Sequence, residues 1–118
     1  MSPKLLPLTD PLLVECHERV TRVLTQLDRI DLLANVREIP VAVARERKKL
    51  WGCFQWHDDA NGLGRIVLCC PVWRRPATLL HEYAHALVHW LGQNEEDDHG
   101  YRFQWMLKQL TDAKGGQT

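Results

Sequence analysis

The segment "TLLHEYAHALVHWLGQNEEDDHGYRF", Thr78 to Phe103, holds four of the six histidines in the chain. Within it "HEYAH", residues 81–85, matches H-E-x-x-H, a pattern that carries metal chemistry when it lies on a helix. Four residues on a helix advance roughly 6 Å and complete little more than one turn, so His81 and His85 point the same way. Both imidazoles can then reach one zinc ion, at about 2.0–2.1 Å from each nitrogen. Glu82 can lean over that ion and take a proton from water, the general-base part in metal-assisted hydrolysis. Two ligands make a weak site, because a catalytic zinc generally takes three from the protein and keeps one position open.

The third ligand has several candidates. His89 continues the four-residue spacing, but it stands eight residues from His81, roughly 12 Å along an unbroken helix, which suits a helix-surface or substrate-side role. Glu95 and Glu96 offer loop carboxylates. His99 is the stronger choice: Gly92 closes the helix, the polar "GQNEEDD" lets the chain reverse, and His99 stands where the next helix begins. Asp97 or Asp98 could orient its ring, as ligating histidines require. Tyr101 and His89 are candidates to donate a hydrogen bond to a developing oxyanion.

These residues need elements to position them. Asp10 as N-cap and Pro11 at the first helical position open an amphipathic helix whose apolar residues run from Leu13 to Ile30. "NVREIPVAVAR" reads as a strand, with Pro40 placing it at an edge or a bulge. Residues 50–70 read as a hairpin, "LWGCFQWH" and "RIVLCC" joined by "DDANGLG". A second helix is expected from about Ala77 to Leu91, and a third over "GYRFQWMLKQLTDA" with Phe103, Met106, Leu107 and Leu110 on one face. The order helix, three strands, helix, helix predicts an α+β domain, its antiparallel or mixed sheet packed on the helices.

At 118 residues and 45% hydrophobic content, one domain is expected over 1–118, ordered from about 10 to 113, with the tail "KGGQT" flexible. Fifteen basic and fifteen acidic residues cancel, so no global field draws the chain to nucleic acid or to an anionic membrane. A local contact remains open: Arg45, Arg47, Lys48 and Lys49, with Trp51 and Trp56 to stack on an unpaired base. The plainer reading is a solvated turn, interrupted by Glu46, followed by a strand that buries its tryptophans. Arg74 and Arg75, beside the expected cleft, suit acidic groups or a phosphate on a substrate, or are simply surface residues. Cys16, Cys53, Cys69 and Cys70 lack disulfide or zinc-knuckle spacing, and strand alternation turns one of Cys69 and Cys70 toward the cleft. With no signal peptide and no membrane-length apolar run, a soluble cytoplasmic protein without a membrane partner is expected.

The quoted segment resembles the active-site segment of the SprT and Spartan group of zincin metalloproteases, whose pattern is H-E-x-x-H, a polar turn, then H-G-x-x-F opening the next helix. "WGCFQW", "GRIVLCC" and "TLLHE" follow the family's order too, so about residues 10 to 113 can be matched. The resemblance implies a zincin-like fold and a zinc cofactor held by His81, His85 and His99, with Glu82 as general base and Gly100 and Phe103 structural. It also implies that the strand Arg65 to Cys70 borders the cleft and takes an extended peptide by strand addition. Spartan-type relatives carry a cysteine-rich zinc region after the protease domain; the likeness here is to the minimal domain. The implied function is a zinc-dependent endopeptidase acting on proteins or peptides, among them proteins bound or crosslinked to DNA. The alternative is a catalytically weak or inactive zinc-containing module that binds protein or single-stranded nucleic acid, its oligomeric state unspecified.

Overall fold

Asp10 opens the first long helix, α1 (Pro11–Gln26), by accepting the Leu12 N–H on Oδ1 at 2.9 Å, with Pro11 at a position where no donor is needed. The computed structural model describes residues 3–55, 62–93 and 97–113; Trp56, the hairpin turn, Glu95, Glu96 and the tail 114–118 lie outside them. Leu13, Cys16, Val20, Val23 and Leu24 of α1 face the core. The helix stops four residues before the apolar periodicity does. Asp28 takes a left-handed φ of 57°, and the Arg29 N–H reaches back to the Leu24 carbonyl at 2.8 Å, so Ile30 is left 60% exposed.

A 3₁₀ turn (Ile30–Leu32) runs directly into α2 (Leu33–Glu38), a helix that corrects the strand expected over "NVREIPVAVAR". Only Val41–Val43 of that stretch is extended, because Pro40 holds Ile39 out of the helical region (ψ 126°) and ends α2 there. Pro40 does not put the strand at an edge either. It precedes the strand, and its carbonyl accepts the Ile66 N–H at 2.9 Å, so the missing donor costs nothing.

The sheet is mixed and has four strands where three were expected: β1 (Lys4–Leu5), β2 (Val41–Val43), β3 (Gly52–Gln55) and β4 (Arg65–Leu68), in the order β1-β2-β4-β3. β1 pairs antiparallel with β2, ahead of the residue at which order was expected to begin. β3 and β4 form the expected antiparallel hairpin, with Gly52 opposite Leu68 and Gln55 opposite Arg65. β4 then lies parallel to β2, Val41 facing Ile66, so it is internal and β3 is an edge.

α3 (Arg75–Trp90) and α4 (Tyr101–Asp112) complete the fold. α3 ends as its sequence foretells: Gly92 sits at φ 69°, and the Gln93 N–H closes on the Val88 carbonyl at 2.9 Å. Leu79, Tyr83, Ala86 and Leu87 of α3 meet the core residues of α1 and the sheet with no exposed surface. Full burial of a leucine of this kind contributes roughly 1.5–3 kcal/mol. Tyr83, between the two histidines of the motif, donates its hydroxyl to the Val36 carbonyl of α2 and accepts from His17 Nε2 of α1, both at 3.0 Å. That pair of bonds fixes the rotation of α3 about its own axis. No helix among the described residues is long and apolar enough to cross a membrane.

Candidate metal centre

Helical phase brings His81 and His85 together on the face of α3 opposite Tyr83, with ring centroids 5.0 Å apart. The chain reverses after Gly92, and an Asx turn, in which the His99 backbone N–H donates to Asp97 Oδ1 at 3.0 Å, delivers His99 just before α4. His99 Nε2 then stands 3.3 Å from His81 Nε2, and one ligand atom of each of the three histidines lies within 4.8 Å of the others. Two nitrogens bound at zinc distances on a tetrahedral ion would be roughly 3.3 Å apart. The His81–His99 pair stands at that spacing, and the three imidazoles together form a set that could hold a metal ion.

Phe103, one turn into α4 and 3% exposed, forms the floor. Its ring stacks on His85 at 4.3 Å and 25°, with His81 at 4.8 Å and His99 at 4.9 Å. This apolar base limits the rotamers of all three rings and dries one side of the site. Burial lowers the His81 pKa, with His99 adding to the effect, and pushes His85 down to about 4, opposed only by the charge of Asp98. Both helix imidazoles are therefore neutral at pH 7, the form that ligates metals.

Glu82 is one of two buried polar residues among those described, at 5% exposure; the other is Thr78, one turn earlier. Burial pushes its carboxyl up to about 7, so it can take up or release a proton near neutrality. The space for it comes from Gly52. A Cβ there would lie 3.3 Å from Glu82 Oε2, 3.2 Å from the Val67 carbonyl and 2.8 Å from Thr78 Cγ2. The sequence reading passed over Gly52, although a glycine inside the strand pattern "WGCFQW" signals close backbone approach.

A cavity of 370 Å³ opens over the triad, lined by Gly52, Cys53 and Phe54 of β3 together with His89 and Asp98. The edge strand bordering the site is thus β3, which corrects the placement of Arg65 to Cys70 there. Cys69 and Cys70 are both buried, Cys69 donating its thiol to the Leu50 carbonyl at 3.0 Å. The thiol that faces the cavity is Cys53, its pKa raised by burial and then by Glu82. His89 lines the cavity with its ring 5.8 Å from Phe54, outside the triad. Tyr101 is neither core nor site: it is 78% exposed and lines a separate depression with Arg29 and Trp105. Asp97 serves the His99 backbone rather than its ring. A depression of 800 Å³ along α1 beside His17 and Arg37 lies away from the triad and, among the described residues, brings no such set of ligands together.

A mixed sheet backed by helices, with H-E-x-x-H on one helix and a third histidine ahead of the next, has the architecture of the zincin-like α+β class. Residues 62–118 match the SprT-like family, consistent with a SprT-like domain. No curated protein and no solved structure matches the chain.

Proposed function

We propose that the chain is a single SprT-like module that acts as a zinc-dependent endopeptidase on extended protein segments. The observation that carries this reading is the convergence of His81, His85 and His99 beside a buried carboxylate, in a chain with SprT-like family residues. The three imidazoles would hold zinc, which when bound supplies Lewis acidity and a more acidic water. Glu82 takes the proton of the attacking water and returns it to the leaving amine; a carboxyl poised near 7 suits both halves of that exchange. The outer edge of β3, beside the cavity, offers main-chain groups to an extended substrate. His89, which lines the cavity, is the candidate to donate to the carbonyl oxygen as charge develops there.

Purified protein is expected to contain about one zinc per chain, as one three-histidine centre requires. It should cleave an unstructured protein such as casein, assayed with and without single-stranded DNA, and Glu82→Gln should keep the zinc and lose the cleavage. A wild-type protein that holds zinc and cuts nothing under either condition would leave the inert binding module in its place. Full activity in Glu82→Gln would remove the general-base role.

A further inference from the structure

The cleft does not stop at the metal centre. A groove of 660 Å³ continues from His81 and Glu82, which line both spaces, toward the start of α3. Leu50, Leu80 and Leu107 give it apolar walls, and Lys48, Lys49 and Arg74 line it too. Its one carboxylate is Glu82, at the metal end.

Arg74 is placed against local preference. It is the N-cap residue of α3, where the helix dipole disfavours a cation, and the first turn of α3 holds no acidic residue to compensate. Among the described residues no carboxylate pairs with it. Instead its guanidinium lies 3.8 Å over the ring of Trp51 and 5.8 Å from that of Trp73. Its Nε is buried and, among the described residues, has no hydrogen-bond partner. A cation gripped by two indoles, with a dry unpartnered donor, beside two exposed lysines is a receptor for an anionic group.

We propose that this groove is a substrate subsite that selects an acidic side chain, Asp or Glu, close to the scissile bond. The proposal rests on the peptidase reading and specifies its substrate class. The apolar walls take the methylene stem, and Arg74, Lys48 and Lys49 take the carboxylate. A peptide is favoured over nucleic acid because the groove shares Leu50, Gly52, His81 and Glu82 with the cavity over the triad, and because Arg74 already covers one face of the Trp51 ring.

The test uses zinc-loaded full-length protein and fluorogenic peptides that differ at one position, carrying Glu, Gln or Lys, scanned across both sides of the cut. At one position kcat/KM for Glu should exceed that for Gln by about tenfold at low salt, as one charge-assisted contact at a partly solvated site supplies. The ratio should fall to near one in Arg74→Gln and invert in Lys48→Glu/Lys49→Glu. A merely structural defect would slow both peptides and leave the ratio intact, which would overturn the assignment. Equal Glu and Gln rates at every position in the wild type would also overturn it, while leaving the peptidase reading standing. If no peptide is cut, the peptidase reading fails, and affinities of the same peptides for zinc-loaded Glu82→Gln by fluorescence anisotropy decide the subsite. Tighter Glu-peptide binding, lost in Lys48→Glu/Lys49→Glu, supports it; equal binding refutes it. A single-stranded oligonucleotide that binds more tightly than the Glu peptide, and loses binding in the same variant, would overturn it in favour of nucleic acid.

Discussion

Leu79, Tyr83, Ala86 and Leu87 on one face of α3 have no exposed surface, whereas Thr78, His81, Glu82, His85 and His89 on the other bring polar groups to a cavity. Both faces are built at the same helical spacing, yet they use it in opposite ways. The inner face maximises contact with α1, α2 and the sheet, and even its one polar atom, the Tyr83 hydroxyl, is satisfied by Val36 and His17. The outer face accepts costs: a carboxyl held in a dry place and imidazoles kept neutral by burial. One helix thus separates stability from chemistry by about half a turn.

Substitutions on the two faces should therefore have separable effects. The largest is expected from Leu87→Ala, which should lower unfolding stability by about 2–5 kcal/mol through a cavity in the core, read from the denaturant midpoint. Zinc stoichiometry in the folded fraction should not change; a matched loss of metal would show that the two faces are not independent. His99→Ala should do the reverse, weakening zinc binding by more than about 100-fold in chelator competition, beyond what orienting groups contribute. His89→Ala should lower occupancy far less, and equal losses would overturn the ligand assignment.

Glu82→Gln in metal-free protein should raise stability at pH 8 by an amount on the order of 1–3 kcal/mol. The folded-state carboxyl is raised to about 7 from 4.5, so wild type pays the buried-charge cost in full above pH 7, and progressively less as the pH falls. Below about pH 4.5 both states hold the proton and the two proteins should converge. His85 works in the other direction: with its folded pKa near 4, stability should decline as the pH drops from 6.5 toward 4, in both proteins alike. The smallest effect is expected from Tyr83→Phe, about 1 kcal/mol for an unpaired carbonyl, again without loss of zinc.

Long periodic elements were the legible part of this chain. α1, α3 and α4 could be read because fourteen or so residues of amphipathic spacing leave little choice, and Gly92 announces its own helix end. Asp28 ends α1 by the same hydrogen-bond pattern and was invisible, because aspartate adopts a left-handed φ without being required to. The six residues of α2 and the two of β1 are too short for periodicity to show, and Pro40 marked the boundary between helix and strand rather than a sheet edge. At the candidate site, spacing singled out His81, Glu82, His85 and His99, because helix geometry and one chain reversal suffice to bring the three histidines together. Gly52 and Cys53 escaped notice as cleft residues, since strand order decides which strand lies beside α3 and sequence does not encode that order locally; Arg74 was expected beside the cleft, its part there left between substrate contact and plain surface.

The two-residue strand β1 has a consequence out of proportion to its length. It pairs along β2 and so makes one border of the sheet only two residues long, leaving the four residues of β3 as the longer border, beside the histidines. Another copy of the protein adding itself to this sheet finds its longer run of main chain at β3, across the mouth of the cleft. If that cleft is the peptidase site proposed above, activity per molecule should fall as the protein is concentrated, and a bound extended peptide should keep the molecules apart.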